Sequence, residues 1–208
     1  MKDYFYVPKN SVQIINKVKD SKFYGSIDRV ENREEAEKFI TKICSAFHDA
    51  THNVFAYIIK NGIEDLQYYD DDGEPAGSSG PPVLQVIEGE NLTNTIIVVT
   101  RYFGGTKLGI GGLIRAYSET AKFTIRESGK KRLVLYNEIK IQIGYDLIGT
   151  VMGQVEALNA SINKTEYTND GVNINIIARP NITKKLNKVL IEKTGNKVKC
   201  KNIGNKYI

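Results

Sequence analysis

Residues 95–100, Thr-Ile-Ile-Val-Val-Thr, form an apolar run with neither alternation nor helical spacing. A strand of this kind has no solvent side, so the fold must cover both of its faces. The chain then reads RYFGGTKLGIGGLIRAYSETAK over residues 101–122, with five glycines between Arg101 and Arg115. A helix pattern follows at once, with Leu113, Ala116, Tyr117, Thr120, Ala121 and Thr124 on one side and Gly129 as its stop. A buried strand, a bare loop and a helix in succession fix a layered α+β arrangement around this segment.

The rest of the first two thirds supplies the other layers. The segments YFYV, VQIINKV and FYGSIDRV read as short strands separated by PKN and KDSK turns. In NREEAEKFITKICSAFHD, Ala36, Phe39, Ile40, Ile43, Ala46 and Phe47 repeat at helical spacing, with Asn32 and Glu35 as cap and capping-box partner. NVFAYIIK is a strand expected to pair with LQYY across the NGIED turn. PVLQVIEG reads as a short helix begun by Pro82 and ended by Gly89. After Gly129 the pattern restarts as LVLYNEIKIQIGY (strand), DLIGTVMGQVEALNAS (helix), INKTEYT and VNINIIAR (a hairpin around Asn169-Asp170-Gly171), NITKKLNKVLIEKT (helix) and KVKCKNI (strand). This β-α-β-β-α-β order predicts a ferredoxin-like unit. The basic stretch Gly129–Arg132 is the expected boundary, giving domains 1–131 and 132–208.

Charge is unevenly placed. Up to Asn137 there are 18 Lys and Arg against 18 Asp and Glu; from Glu138 there are 11 against 6, so the whole net +5 falls in the last third. A basic segment on a neutral body fits an anionic partner such as RNA. No run of 18 or more apolar residues offers a membrane span, and the N-terminal residues lack the pattern of a secretion signal, so a cytoplasmic protein is expected. Cys44 and Cys200 belong to no C-x-x-C pair and are read as reduced thiols.

The glycine loop is the leading candidate site. Gly104, Gly105, Gly109, Gly111 and Gly112 allow close approach to a helix N-terminus, where backbone N–H groups favour an anion. Arg101, Lys107 and Arg115 could add charge, and Tyr102 and Phe103 could stack on bases. The loop matches neither the Walker nor the dinucleotide fingerprint, and helix–sheet packing alone could explain its glycines. The turn YDDDGEPAGSSG sets Asp71, Asp72 and Glu74 beside small residues that could wrap an anion, or whose N–H groups the carboxylates could cap. His48 and His52 do not form the H-E-x-x-H zinc pattern. No metal or other cofactor is expected.

Together DATHNVFAY, DDGEPAGSSGPPVL and VVTRYFGGTKLGIGGLIRAYSETA resemble the signature of the IMPACT/YigZ family, over roughly residues 18 to 125 and, with the last third, nearly the whole chain. The motif positions include His52, Asp71, Asp72, Glu74, Arg101, Tyr102, Phe103, Gly104, Gly105, Gly109, Gly111, Gly112, Arg115 and Tyr117; Ser78-Ser79 stands where many relatives have Thr-Ala. The resemblance implies an N-terminal domain like domain 2 of ribosomal protein S5, an α/β sandwich. It also implies a C-terminal ferredoxin-like domain similar to those of elongation factor G. The expected function is a translation-associated regulator that binds RNA or the ribosome, as a monomer. The alternatives are a protein-interaction module, with Tyr102, Phe103 and Tyr117 as anchors, and a metal-assisted hydrolase or phosphotransfer enzyme built on the acidic turn and the glycine loop.

Overall fold

The computed structural model describes residues 3–61 and 64–208. The chain divides into two compact units, Phe5–Arg132 and Leu133–Ile208, the second taking in Asp3 and Tyr4 as well. In chain order the elements of the first are β1 (Tyr4–Pro8), β2 (Val12–Val18), β3 (Ser21–Arg29), α1 (Arg33–Ala46), β4 (His52–Asn61), β5 (Glu64–Asp70), α2 (Gly80–Gly89), β6 (Thr95–Tyr102) and α3 (Ile110–Ser128). Those of the second are β7 (Lys130–Ile143), α4 (Ile148–Ala157), β8 (Ser161–Thr168), β9 (Gly171–Ala178), α5 (Pro180–Thr194) and β10 (Lys199–Tyr207).

The apolar run of β6 lies in the middle of a sheet ordered β2-β3-β6-β4-β5, and it is buried from Thr95 to Arg101. Its two faces meet different layers, as the period of two requires. Ile96 and Val98 pack with Ala36, Phe39 and Ile43 of α1. Ile97 and Val99 pack with Val83 and Ile87 of α2 and with Leu113, Tyr117 and Ala121 of α3. Each fully buried aliphatic side chain here contributes about 1.5–3 kcal/mol. All the neighbouring strands are antiparallel, so β3 and β4 both begin beside the end of β6, at the start of the glycine loop.

Local expectations hold with four adjustments. The helix expected over 146–161 is confined to Ile148–Ala157, and Ser161 opens β8. Asn32 caps α1 by accepting from Glu35 N, but the Glu35 carboxylate reaches Glu31 N one residue earlier than a capping box would use. The helix expected from Pro82 begins at Gly80, with both prolines inside its first turn where no N–H is missed. The final strand runs on to Tyr207, because its far half continues to pair with β7. Gly62 and Ile63 of the NGIED turn lie outside the described residues, while β4 and β5 pair on either side of it.

In the second unit the strands are ordered β10-β7-β9-β8, all antiparallel. Val151 and Val155 of α4 and Leu186 and Leu190 of α5 close a core with Ile141, Ile143, Ile174 and Ile176. Gly195 takes φ 58 to end α5, the left-handed stop that its position suggests. Cys44 and Cys200 are free and half-buried.

Gly25 in β3 lies directly against α3: an added Cβ would meet Thr124 Oγ1 at 2.0 Å and Thr120 Cγ2 at 3.1 Å. Gly25→Ala is expected to destabilise the protein by about 1–3 kcal/mol through overpacking. Adding Thr124→Ala, which removes the clashing oxygen, should recover part of that loss; urea-unfolding midpoints of the two variants check both statements.

Candidate functional site

His52 opens β4 and Arg101 nearly closes β6, and the two are register partners in adjacent strands. Their side chains therefore leave the sheet on the same face. Above them stand the acidic turn, which follows β5, and the glycine loop, which follows β6. The two motifs that the sequence leaves unplaced relative to each other are neighbours in space.

The acidic turn is organised by Asp71. Its Oδ1 accepts from Ser79 N, Ser79 Oγ and Gly80 N at 3.1, 2.5 and 2.7 Å, and its Oδ2 accepts from Gly77 N at 2.7 Å. The small residues after the turn do wrap an anion, and it is the chain's own carboxylate at the start of α2. Burial pushes the Asp71 pKa up, and the bonds from Ser79, Gly77 and Gly80 outweigh it, holding the group below the usual carboxylate range. Asp72 takes φ 43, and its Oδ2 accepts from Asn53 N. Its backbone oxygen lies 2.7 Å from His52 Nδ1.

This turn delivers Glu74 into the interior, where its side chain is 3% exposed. Glu74 Oε1 accepts from Arg101 Nη1 at 2.6 Å and from Tyr117 Oη at 2.8 Å. Its Oε2 faces His52 Nε2 at 3.9 Å. The Arg101 guanidinium carbon lies 5.6 Å from the Phe23 ring centroid and 5.4 Å from that of Phe103, and its buried Nε has no hydrogen-bond partner among the described residues. Burial, then the Glu74 carboxylate, keeps the Tyr117 phenol protonated far above its ordinary range.

Beside this cluster is a cleft of about 440 Å³ whose walls include Thr51, His52, Glu74, Arg101, Phe103 and Leu108. Lys107 and Gly109 of the glycine loop and Ile110 and Leu113 of α3 are also in its wall. The glycines differ in purpose. Gly104 is a packing residue: a Cβ there would fall 2.0 Å from the Asp20 backbone. Gly109 is the N-cap of α3 at φ 72, a conformation that favours glycine, and it provides no side-chain cap to the helix. Gly111 has no steric need for its missing side chain, and its face of the helix is open.

The structure sorts the remaining candidates. Lys107 and Arg115 are exposed and, among the described residues, in no ion pair. Arg101 is buried and engaged by Glu74. Phe103 is 45% exposed at the rim. Tyr102 packs against Tyr24 and Phe47 and donates to Asp49 Oδ1 at 2.5 Å, which pushes its pKa up to about 12, so its ring is already in use. Tyr117 is fully buried and cannot anchor a partner. Among the described residues no three His, Cys, Asp or Glu side chains gather as metal ligands. Sequence reasoning did not single out Thr51 and Ile110 as cleft residues; neither carries a chemical signature that would mark it.

Two outcomes are expected. Arg101→Ala, which leaves Glu74 buried without its counter-charge, should cost about 3–5 kcal/mol, whereas Arg101→Leu combined with Glu74→Leu should cost less, as thermal melts would show. For Asp71, a folded pKa below the unfolded value of about 3.9 gives stability that is complete above that value and lost as pH falls through the folded pKa. Asp71→Asn should therefore lower stability at neutral pH, and its deficit relative to wild type should shrink in unfolding experiments at about pH 3.

Comparison with known proteins assigns the family. The domain described as Impact N-terminal domain matches residues 19–125. The chain is 35% identical over 151 residues to the IMPACT family member YvyE of Bacillus subtilis, covering 73% of this chain and 69% of that one. It is 31% identical over 175 residues to an IMPACT family member of Haemophilus influenzae, covering 83% and 82%. A crystal structure of a hypothetical protein superposes over 98% of this chain and 99% of its own with a TM-score of 0.65 at 22% identity, a likeness of fold. Among the described residues no helix is long and apolar enough to cross a membrane. A match over half the chain, with relatives aligned along most of their length, makes this protein a member of the IMPACT family.

Proposed function

We propose that this IMPACT-family protein is a cytoplasmic, translation-associated regulator that contacts RNA or the ribosome through the rim of the cleft. The observation that carries this reading is the free positive charge around the start of α3. Lys107 and Arg115 are exposed and unpaired among the described residues, and they flank a first turn with no side-chain cap. The first N–H groups of a helix have no partner within it, and 19 residues of aligned peptide dipoles favour an anion there. Phe103 adds an exposed ring beside these charges, a combination suited to a phosphate backbone with unstacked bases.

The second unit adds diffuse attraction through exposed Lys184, Lys185, Lys188, Lys197 and Lys199. We read it as a ferredoxin-like domain similar to those of elongation factor G, a reading supported by its βαββαβ order and its β10-β7-β9-β8 sheet. We read the first unit as similar to domain 2 of ribosomal protein S5, with the two domains spanning 1–131 and 132–208.

Co-sedimentation with purified ribosomes over a salt series tests the proposal. Wild type is expected to pellet at low salt and to be released steeply as salt rises. Lys107→Ala with Arg115→Ala, both surface changes, is expected to weaken binding and lower the log–log salt slope by about 2. A flat salt response, or an unchanged slope in the double variant, would refute contact through this rim.

A further inference from the structure

We propose that the cleft is a pocket for one guanine base. The hydrogen-bonding character of its inner wall leads to this assignment. The backbone oxygen of Asp72 can only accept, so the 2.7 Å contact with His52 requires the proton on Nδ1. With the proton there, Nε2 of an uncharged imidazole is an acceptor. Glu74 Oε1 is satisfied by Arg101 and Tyr117, whereas Oε2 has no protein donor within hydrogen-bond distance among the described residues. Two acceptors thus stand 3.9 Å apart at the cleft wall, one of them on a carboxylate whose side chain is 97% buried. Both atoms belong to residues that line the cleft, and two neighbouring acceptors suit a ligand with two adjacent donors.

The mouth of the cleft decides what carries those donors. A guanidinium or ammonium group would satisfy the two acceptors, but Lys107 and the N-terminus of α3 line the same cleft and disfavour a cation. The donors therefore belong to a neutral group on an anionic molecule, which describes the base of a nucleotide. On its pairing edge guanine alone among the RNA bases presents two neighbouring donors, N1–H and the 2-amino group. Adenine and cytosine set a donor beside an acceptor, and uracil flanks its one donor with acceptors. A cleft of about 440 Å³ accommodates a base with its sugar, and Phe103, Leu108 and Leu113 offer apolar surface to the ring faces. The phosphate is left at the rim beside Lys107.

For a base within a strand this inference rests on the RNA reading above; a free guanine nucleotide shares the same chemistry. The test varies the ligand before the protein, so no variant need fold for it to be decisive. Short labelled uridine oligomers carrying one central guanosine, inosine, adenosine or uridine are titrated by fluorescence anisotropy, and GMP, IMP and AMP by calorimetry. Inosine matters because its base keeps N1–H and lacks the 2-amino group. The guanosine oligomer is expected to bind about tenfold more tightly than the other three, as sites built on specific hydrogen bonds discriminate. His52→Ala, confirmed as folded by its melt, should bring the guanosine-to-inosine ratio close to one. Preference confined to oligomers identifies a residue of RNA; the same preference for GMP over IMP adds the free nucleotide as a source. If all four oligomers bind alike and GMP binds no better than IMP, the guanine pocket is overturned while the RNA reading stands. If no oligomer binds but GMP outbinds IMP and AMP, the RNA reading fails and the pocket stands. If nothing binds, the guanine pocket is overturned too.

Discussion

The buried ion pair between Glu74 and Arg101 is the contact on which the rest of the site depends. It ties the turn after β5 to the end of β6, and Tyr117 brings α3 into the same knot. An ion pair removed from water gains little net stability, because desolvation offsets most of the attraction. What it does fix is position: a carboxylate with one oxygen held by two donors cannot rotate, so its second oxygen has a set direction. His52 is held in the same way, by a backbone carbonyl on one ring nitrogen. The polar wall of the cleft is thus assembled from residues distant in sequence, each anchored on its far side.

Much of the framework could be read from the sequence because it rests on periodicity. The β6 run announced a two-sided strand, and Leu113 to Thr124 announced the buried face of α3. The hairpin at Asn169-Asp170 and the stop at Gly195 follow from local backbone chemistry. The partnerships within the site could not be read this way. Arg101 looked like free charge because a single sequence does not reveal that Glu74, 27 residues earlier, points inward beside it. Tyr117 was legible as core and also as a motif residue, but the carboxylate that unites these two roles comes from another layer. The glycines were legible as a group; their separate reasons were not, since the clash at Gly104 is with Asp20, on the turn between β2 and β3.

The acidic turn illustrates how one signal supports opposite readings. Three consecutive aspartates suggest a cation site, and the small residues after them suggest an anion site. The structure joins the two signals: Asp71 occupies the ring of N–H groups formed by Gly77, Ser79 and Gly80. A segment without regular secondary structure acquires rigidity this way, and it spends that rigidity on holding Glu74 in place.

The glycine loop is fastened at three points: Phe103 N to Thr51 Oγ1, Gly104 N to Ser21 Oγ, and Thr106 Oγ1 to Asp20 Oδ2. A loop so rich in glycine would ordinarily have many conformations to give up when something lands on it. Here that freedom has already been surrendered during folding, so an arriving ligand is met by a preformed surface and owes no ordering penalty to the loop. For the binding proposed above, arrival would then be a matter of diffusion and orientation, without a closing step, and the lifetime of the complex would fall to the contacts at the cleft wall.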